Sequence, residues 1–430
     1  MKTSVIAAGL LVLAQAAPAF AGDPGETLAI LSRVMALPLA GAPVTTSIGG
    51  VTIAGALPSL ATRPPTGPFR PNEVLVVLPT GATADVAAAL ARDFSLQLEV
   101  FTPSPTLGSP LVRLRITDGR TVLAVLQALA QDPRVRASQP NYVYRLSAGA
   151  GAPASGLPQY ALDLIHARDA LGKLNATRTP LVAVIDTGID ESHPDLAGAV
   201  RDRFDAVGDG QWDFAAHGTS IAGIVAARGQ LQGVDPQAAL LSVRAFPAGD
   251  GATAEATSLA LVRAIDWALA QNADVINMSL AGPPDQFVDA AVERAMAAGV
   301  IVVAAAGNGG PDAPPAYPAA VNGVVAVTAT DDKDALFPGA NRGAYISIAA
   351  PGVDIMSDAP GGGMALATGT SQAAAHVSGV LALLRTASPQ LSPADALKLL
   401  GRTARGHGKA GFGAGLLDAA AAVDGLEKAK

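Results

Sequence analysis

Residues 181–190 read "LVAVIDTGID", an uninterrupted apolar run that ends on Asp186 and breaks at Gly188. The same signature recurs downstream in "AALLSVRAF", "VINMSL", "VIVVAAAG" and "GVVAVTAT", with Ala-rich helical stretches such as "LALVRAIDWALAQ" and "AAVERAMAAG" between the runs. Continuous apolar strands alternating with helices describe a sheet whose two faces are both covered. The pattern predicts a doubly wound, mostly parallel α/β sheet over residues 159–430. In such a sheet chemistry gathers at the carboxyl ends of the strands, which is where Asp186 stands.

Three further polar groups sit at element ends. His217 heads the apolar helix "HGTSIAGIVAA", Asn308 closes "VIVVAAAGNGG", and Ser371 lies in "ATGTSQAAAHVSGVLALLR" ahead of a long apolar run. Each has an ordinary reading by itself: Asp186 and Asn308 as turn residues, His217 and Ser371 as caps of helices. Burying all four among apolar segments without a purpose is costly. Acyl transfer requires this set: a hydroxyl nucleophile, an imidazole to take its proton, a carboxylate to orient the imidazole, and a donor for the oxyanion.

With "DTGID", "HGT", "AAAGN" and "GTSQAAAHVSG" in this order, residues 159–423 resemble a subtilisin-family serine peptidase. The resemblance implies Asp186 as the orienting carboxylate, His217 as general base, Ser371 as nucleophile and Asn308 as side-chain oxyanion donor beside the Ser371 N–H. It also implies that Ser279, Leu280, Ala281 and Gly282 of "NMSLAGP" pair with an extended peptide, and that Ala305, Ala306 and Gly307 wall the first pocket. These small apolar linings suggest a large apolar or aromatic side chain before the cleaved bond. Glu255 and Asp250 read as solvated surface acids, His376 as a structural residue inside its helix. The chain departs from the family pattern at Gln372, Ala375 and Ser220, none of which removes a catalytic group. Between "IVAA" and "GVDP" only "RGQLQ" remains where many relatives carry a calcium-binding loop. Asp195 could still hold a cation, although the oxygen set looks incomplete, so a structural calcium stays open. The chemistry itself requires no cofactor.

Upstream, residues 1–21 combine a basic start at Lys2, an apolar core and the small-residue signal Ala19-Phe20-Ala21, the pattern of a secretory signal peptide. Export to the periplasm or beyond the cell is expected. Residues 22–70 are rich in Ala, Pro, Gly and Thr without a sustained period and read as a spacer. Residues 71–146 carry strand, helix, strand, strand, helix and strand signals in that order, a compact ferredoxin-like α+β unit. By position it resembles the family's inhibitory propeptide, with "QPNYVYRL" as the tail that would occupy the cleft. The Ala/Gly/Ser-rich stretch 147–158 reads as a linker.

Composition narrows the alternatives. The 430 residues include no cysteine, which rules out a thiol nucleophile and a thiolate metal site, and five His show no His-Glu-x-x-His pattern. Net charge is −7, and no basic cluster interleaved with aromatics points to nucleic acid. No G-x-G-x-x-G or Walker-type Lys follows a strand, and G-x-S-x-G is missing, which disfavours a nucleotide enzyme and an esterase. The expected partners are peptide or protein substrates and the chain's own propeptide, with no membrane association after signal removal and a monomeric state.

Overall fold

The computed structural model describes residues 65–147, 159–174, 178–212, 216–247 and 254–427, together with short strands at 45–48, 51–54 and 152–153. The expected signal peptide lies outside the described residues. Strands β1 (Thr45–Ile48) and β2 (Val51–Ala54) pair antiparallel with Ile48 opposite Val51. The spacer thus holds a hairpin that its composition concealed; the signal was the Gly49-Gly50 pair between two Thr- and Ile-bearing runs.

The N-terminal unit runs β3 (Phe69–Val77), α1 (Ala84–Asp93), β4 (Leu96–Thr102), β5 (Leu111–Ile116), α2 (Val122–Leu129) and β6 (Ala137–Leu146). The four strands form an antiparallel sheet in the order β6-β3-β5-β4. Period two explains why β3 is apolar along its whole second half. Val74 and Val76 face α1 and α2, packing with Leu90, Val125 and Leu126, whereas Leu75 and Val77 face the opposite way into the core of the second unit. This sheet has no solvated face.

After β7 (Ala152–Pro153), the second unit opens with α3 (Tyr160–Leu164) and α4 (Ala167–Lys173). It continues through β8 (Leu181–Asp186), β9 (Val200–Asp205), α5 (Ala216–Ala226), β10 (Ala239–Arg244), β11 (Glu255–Thr257), α6 (Ser258–Ala270), β12 (Val275–Met278), β13 (Leu280–Ala281) and α7 (Gln286–Ala297). Then come β14 (Ile301–Ala305), β15 (Val325–Thr330), β16 (Ile348–Pro351), β17 (Ile355–Ala359), β18 (Gly363–Ala367), α8 (Thr370–Ala387), α9 (Pro393–Thr403) and α10 (Ala419–Glu427).

Seven strands form a parallel sheet in the order β16-β15-β14-β12-β8-β10-β9. Helices α5, α8, α9 and α10 pack on one face, and α6 and α7 pack on the other beside the N-terminal sheet. The first strand of the sheet, β8, lies between β12 and β10, so connections leave it in opposite directions and open a crevice at its carboxyl end. Helix α8 is buried along all but its last residue, which accounts for an apolar composition on every side.

Candidate active site

Asp186 ends β8 at that crevice and is fully buried. The Thr187 N–H donates to its Oδ1 at 2.8 Å, and His217 Nδ1 donates to Oδ1 and Oδ2 at 2.7 and 2.8 Å. A carboxylate only accepts, so the ring proton is assigned to Nδ1 and His217 Nε2 is left as an acceptor. Nε2 is enclosed and has no hydrogen-bond partner. Gly218 brings the start of α5 close enough for this. Its N–H donates to Thr187 Oγ1 at 3.1 Å, and a Cβ on it would lie 2.2 Å from the Gly188 carbonyl oxygen.

Ser371 is the second residue of α8, whose N-cap is Gly369. Ser371 is therefore not the cap its sequence context suggests; its backbone N–H is one of the donors that the first helical turn leaves free. Its hydroxyl donates to the Ser279 carbonyl at 3.0 Å, and Ser279 Oγ donates back to the Ser371 carbonyl at 3.1 Å. Behind this pair, Asn277 Nδ2 donates to Ser279 Oγ and Ser378 Oγ donates to Asn277 Oδ1, both at 2.9 Å. This buried network ties α8 to the end of β12. Sequence reasoning missed Asn277 and Ser378, although a single amide inside the buried strand "VINMSL" was a signal that a partner must exist.

Asn308 Oδ1 accepts from the Thr370 N–H at 3.1 Å and from Thr370 Oγ1 at 3.0 Å, while Thr370 Oγ1 accepts from the Gly307 N–H. The carbonyl end of the Asn308 amide is thereby committed, and its NH₂ end is the one left to donate.

The cleft in front of these groups is filled by the chain itself. The end of β6 lies between β11 and β13: Val143, Tyr144 and Arg145 pair with Thr257, Ala256 and Glu255, and Leu146 and Arg145 pair with Leu280 and Ala281. Ser147 completes the strand. Its N–H donates to the Ser279 carbonyl, and its carbonyl oxygen accepts the Ser371 N–H, both at 3.2 Å. This is strand addition, in which main-chain bonds carry the affinity.

Ser279, Leu280 and Ala281 therefore meet the chain's own extended strand, and Gly282 does not pair with it. The Gly282 N–H and carbonyl bond to Tyr317 at 2.9 and 3.0 Å, and the Tyr144 ring rests on its Cα instead: a Cβ there would be 2.3 Å from Tyr144 Cδ1. Ala305, Ala306 and Gly307 are buried, with backbone groups committed to the body: Ala305 pairs with Val327, Ala306 donates to Val327 and accepts the Tyr345 hydroxyl, and Gly307 accepts the Asn341 N–H. Ser147, the residue whose carbonyl meets Ser371, is small and buried.

One acid behaves differently from its sequence reading. Glu255 is not a solvated surface acid; it pairs with Arg145 at 3.0 Å and Arg70 at 3.3 Å, against the strand in the cleft. Asp250 lies outside the described residues. Asp195 holds a loop: Gln230 and Leu231 N–H groups donate to its two oxygens at 2.8 and 2.6 Å, and Gly229 packs so closely that a Cβ would meet Oδ1 at 2.3 Å. The shortened "RGQLQ" segment thus folds around a carboxylate whose lone pairs are engaged by backbone. Among the described residues no group of three or more His, Asp or Glu is arranged to hold a metal ion. His376 is buried, donates from Nδ1 to the Gln372 and Pro351 carbonyls, and is pushed down to about 4 by burial, which keeps it neutral.

The subtilase family model matches residues 177–418, more than half of the chain. A thermophilic serine proteinase of Bacillus sp. (strain AK1) is 35% identical over 270 residues, covering 61% of this chain and 66% of that one. Subtilisin of Bacillus pumilus is 34% identical over 281 residues, covering 62% of this chain and 98% of that one. Among solved structures, fervidolysin of Fervidobacterium pennivorans, a keratinolytic enzyme related to subtilisin, superimposes with a TM-score of 0.69 at 25% identity, over 85% of this chain and 63% of that one. The chain spans just under two thirds of the first relative and of fervidolysin, and nearly the whole of the Bacillus pumilus enzyme. The order of polar groups around the crevice and the extent of these matches lead to one assignment: this chain belongs to the subtilase family of serine peptidases.

Proposed function

We propose that the chain is the precursor of an exported serine endopeptidase that cuts its own Ser147–Ala148 bond first. The observation that carries this reading is the Ser371 N–H donating to the Ser147 carbonyl oxygen in a strand seated between β11 and β13. A carbonyl held on a helix N-terminal amide, next to a hydroxyl, is positioned for attack.

In the proposed reaction Ser371 Oγ bonds to the carbonyl carbon while His217 Nε2 takes the hydroxyl proton. The imidazolium is stabilised by Asp186, and the oxyanion by the Ser371 N–H and Asn308 Nδ2. Collapse breaks the C–N bond, His217 returns the proton to the leaving amine, and water then hydrolyses the acyl ester by the same base. At rest the Ser371 hydroxyl points to the Ser279 carbonyl, so the proton must first turn toward Nε2. The vacant acceptor at Nε2 is consistent with that turn.

Residues 71–146 serve in this reading as an inhibitor that stays docked after the cut. Carboxylates of the second unit receive donors from the first: Asp266 accepts the Thr106 N–H at 2.8 Å, and the buried Asp285 accepts Gln139 Nε2 at 2.7 Å. Residues 1–21 direct export, and the released enzyme acts as a monomer on peptide substrates.

The test compares purified wild-type and Ser371→Ala chains, free of other proteases. The wild type is expected to begin at Ala148 after processing and to take a fluorophosphonate label, while the Ala variant stays uncut and unlabelled. Cutting of the Ala variant at the same bond would assign processing to another enzyme. An active wild type that keeps residues 71–146 attached would overturn the propeptide reading.

A further inference from the structure

Strands β8, β10 and β9 carry a row of three charges at the crevice. In parallel register Arg244 stands beside Asp186 on one side and beside Asp205 on the other. Alternation puts all three on one face. Val182, Val184 and Leu240, an even number of residues before Asp186 and Arg244, belong to the core under α5, whereas Ile185, Val243 and Phe204 pack into the opposite core. Neighbouring strands are about 5 Å apart, so the Asp186 carboxylate is within the reach of an arginine on β10.

The Arg244 side chain is fully buried, yet its contacts run the other way. Nη2 pairs with Asp205 Oδ1 at 3.0 Å and with Asp209 Oδ1. Both acids are fixed by the loop that follows β9. Gly208 and Gly210 N–H groups donate to the two oxygens of Asp205 at 3.0 and 3.3 Å, and the Gln211 N–H donates to Asp209 Oδ1 at 3.0 Å. The Ala206 N–H donates to the Arg244 carbonyl at 2.9 Å, which ties that loop to β10. Arg244 Nε and Nη1 are buried without a hydrogen-bond partner.

A buried cation with free donors pairs with a carboxylate in reach, because leaving it unpaired is costly. Asp186 is such a carboxylate, and both of its oxygens are engaged by His217. An Arg244–Asp186 pair would draw the carboxylate off the imidazole. Resting on the endopeptidase reading above, we infer that Asp205 and Asp209 are positioning residues: they hold the Arg244 guanidinium on the β9 side and so reserve Asp186 for His217.

The test is a reversal. It uses matured enzyme, corrected for folded fraction, and the quenched-fluorescent peptide Val-Tyr-Arg-Leu-Ser-Ala-Gly-Ala. Asp205→Asn/Asp209→Asn is expected to lower kcat by about 10² with KM little changed, a part of the ~10⁴ that a disabled orienting carboxylate costs. Adding Arg244→Met removes the competing cation and is expected to raise kcat again by about tenfold. A purely structural defect behaves oppositely, since a third substitution in the same cluster adds to the damage. If the double variant does not fold, Asp209→Asn with and without Arg244→Met makes the same comparison from the solvent-open side of the cluster, with a loss of about fivefold that the second substitution reverses. A wild-type kcat in the Asn variants overturns the inference, as does an added Arg244→Met that brings no gain. If the wild type cuts no peptide and Ser371 takes no fluorophosphonate label, it is the endopeptidase reading that has failed.

Discussion

Two buried aspartates flank the same helix and meet opposite fates. Asp186 meets the first turn of α5 with both oxygens engaged by His217. Asp358, on β17, meets the same helix at Gly223, where a Cβ would lie 2.5 Å from its Oδ2; neither of its oxygens has a hydrogen-bond partner. His193 Nε2 is 3.9 Å away and already donates to the Gly363 carbonyl, while its Nδ1 accepts the Asp195 N–H. Burial, with Asp195 nearby, pushes Asp358 up to about 7 in spite of His193. Equal burial of the same residue type therefore yields two kinds of site. Where donors are supplied the carboxylate is engaged and can orient an imidazole; where they are withheld, burial favours the protonated form and the group bears on stability.

The largest expected effect tests the first half of that contrast. Asp186→Asn keeps the size and an acceptor for the Thr187 N–H, but it cannot hold a protonated Nδ1 opposite a developing positive charge. Turnover should fall by roughly 10⁴, the scale of the same exchange in other triad peptidases, with the far-ultraviolet spectrum unchanged. A loss below tenfold would mean that Asp186 only shapes the β8 turn. Next in size, Asn308→Leu should lower kcat by ~10²–10³ with little change in KM, because in the proposed reaction the amide bonds the oxyanion and not the ground-state carbonyl. A change confined to KM would return Asn308 to the role of a turn residue.

The same contrast explains what could be read from the chain before folding. The doubly wound sheet was legible because both of its faces are covered, so its strands are apolar from end to end. Asp186, His217, Asn308 and Ser371 stood out because polar residues interrupted those runs at their ends. The order of elements in 71–146 was legible from alternation and helical period. The occupant of the cleft was legible only in part: "QPNYVYRL" resembles a propeptide tail, yet nothing local marks Ser147 as the residue on the Ser371 amide. The pairing of Glu255 with Arg145 joins positions 110 apart in sequence, and such contacts leave no trace in local pattern. The partners of Asp195 left no local trace for the same reason, since the donors that engage it come from a loop 35 and 36 residues downstream.

Two glycines of α5 sharpen the comparison at an intermediate scale. Gly218→Ala would set a methyl against the backbone of Gly188 at 2.2 Å, which drives the turn carrying Asp186 away from His217. Misplacement of that kind should cost activity by about 10². Gly223→Ala presses on the Asp358 carboxyl instead, and should cost about 1–3 kcal/mol of stability while the folded fraction keeps its turnover. Active-site titration combined with thermal melting separates the two outcomes. If both variants lose the same property, the ends of the helix are mechanically coupled and the division drawn between the two aspartates fails.

The smallest effect is the one that reads Asp358 directly. Its ordinary pKa is 3.8 and its value in the fold is about 7, so the fold disfavours the ionised form. By linkage, a group raised on folding contributes stability that is fully present below the unfolded value and is lost as pH rises through the folded one. The wild type should therefore lose stability between about pH 4 and pH 7 and level off above. Asp358→Asn keeps a neutral side chain of the same size at every pH, so the difference between the two proteins isolates this carboxyl from other titrating groups. In a Ser371→Ala background, which prevents self-digestion, the Asn variant should melt close to the wild type near pH 4.5 and a few degrees above it at pH 8. His193 and Asp195 are the titratable groups that face this carboxyl, and both are retained in the variant. A melting difference that stays constant across the range would show that Asp358 is charged throughout, paired by His193 after all, and the two aspartates would then differ in geometry but not in protonation.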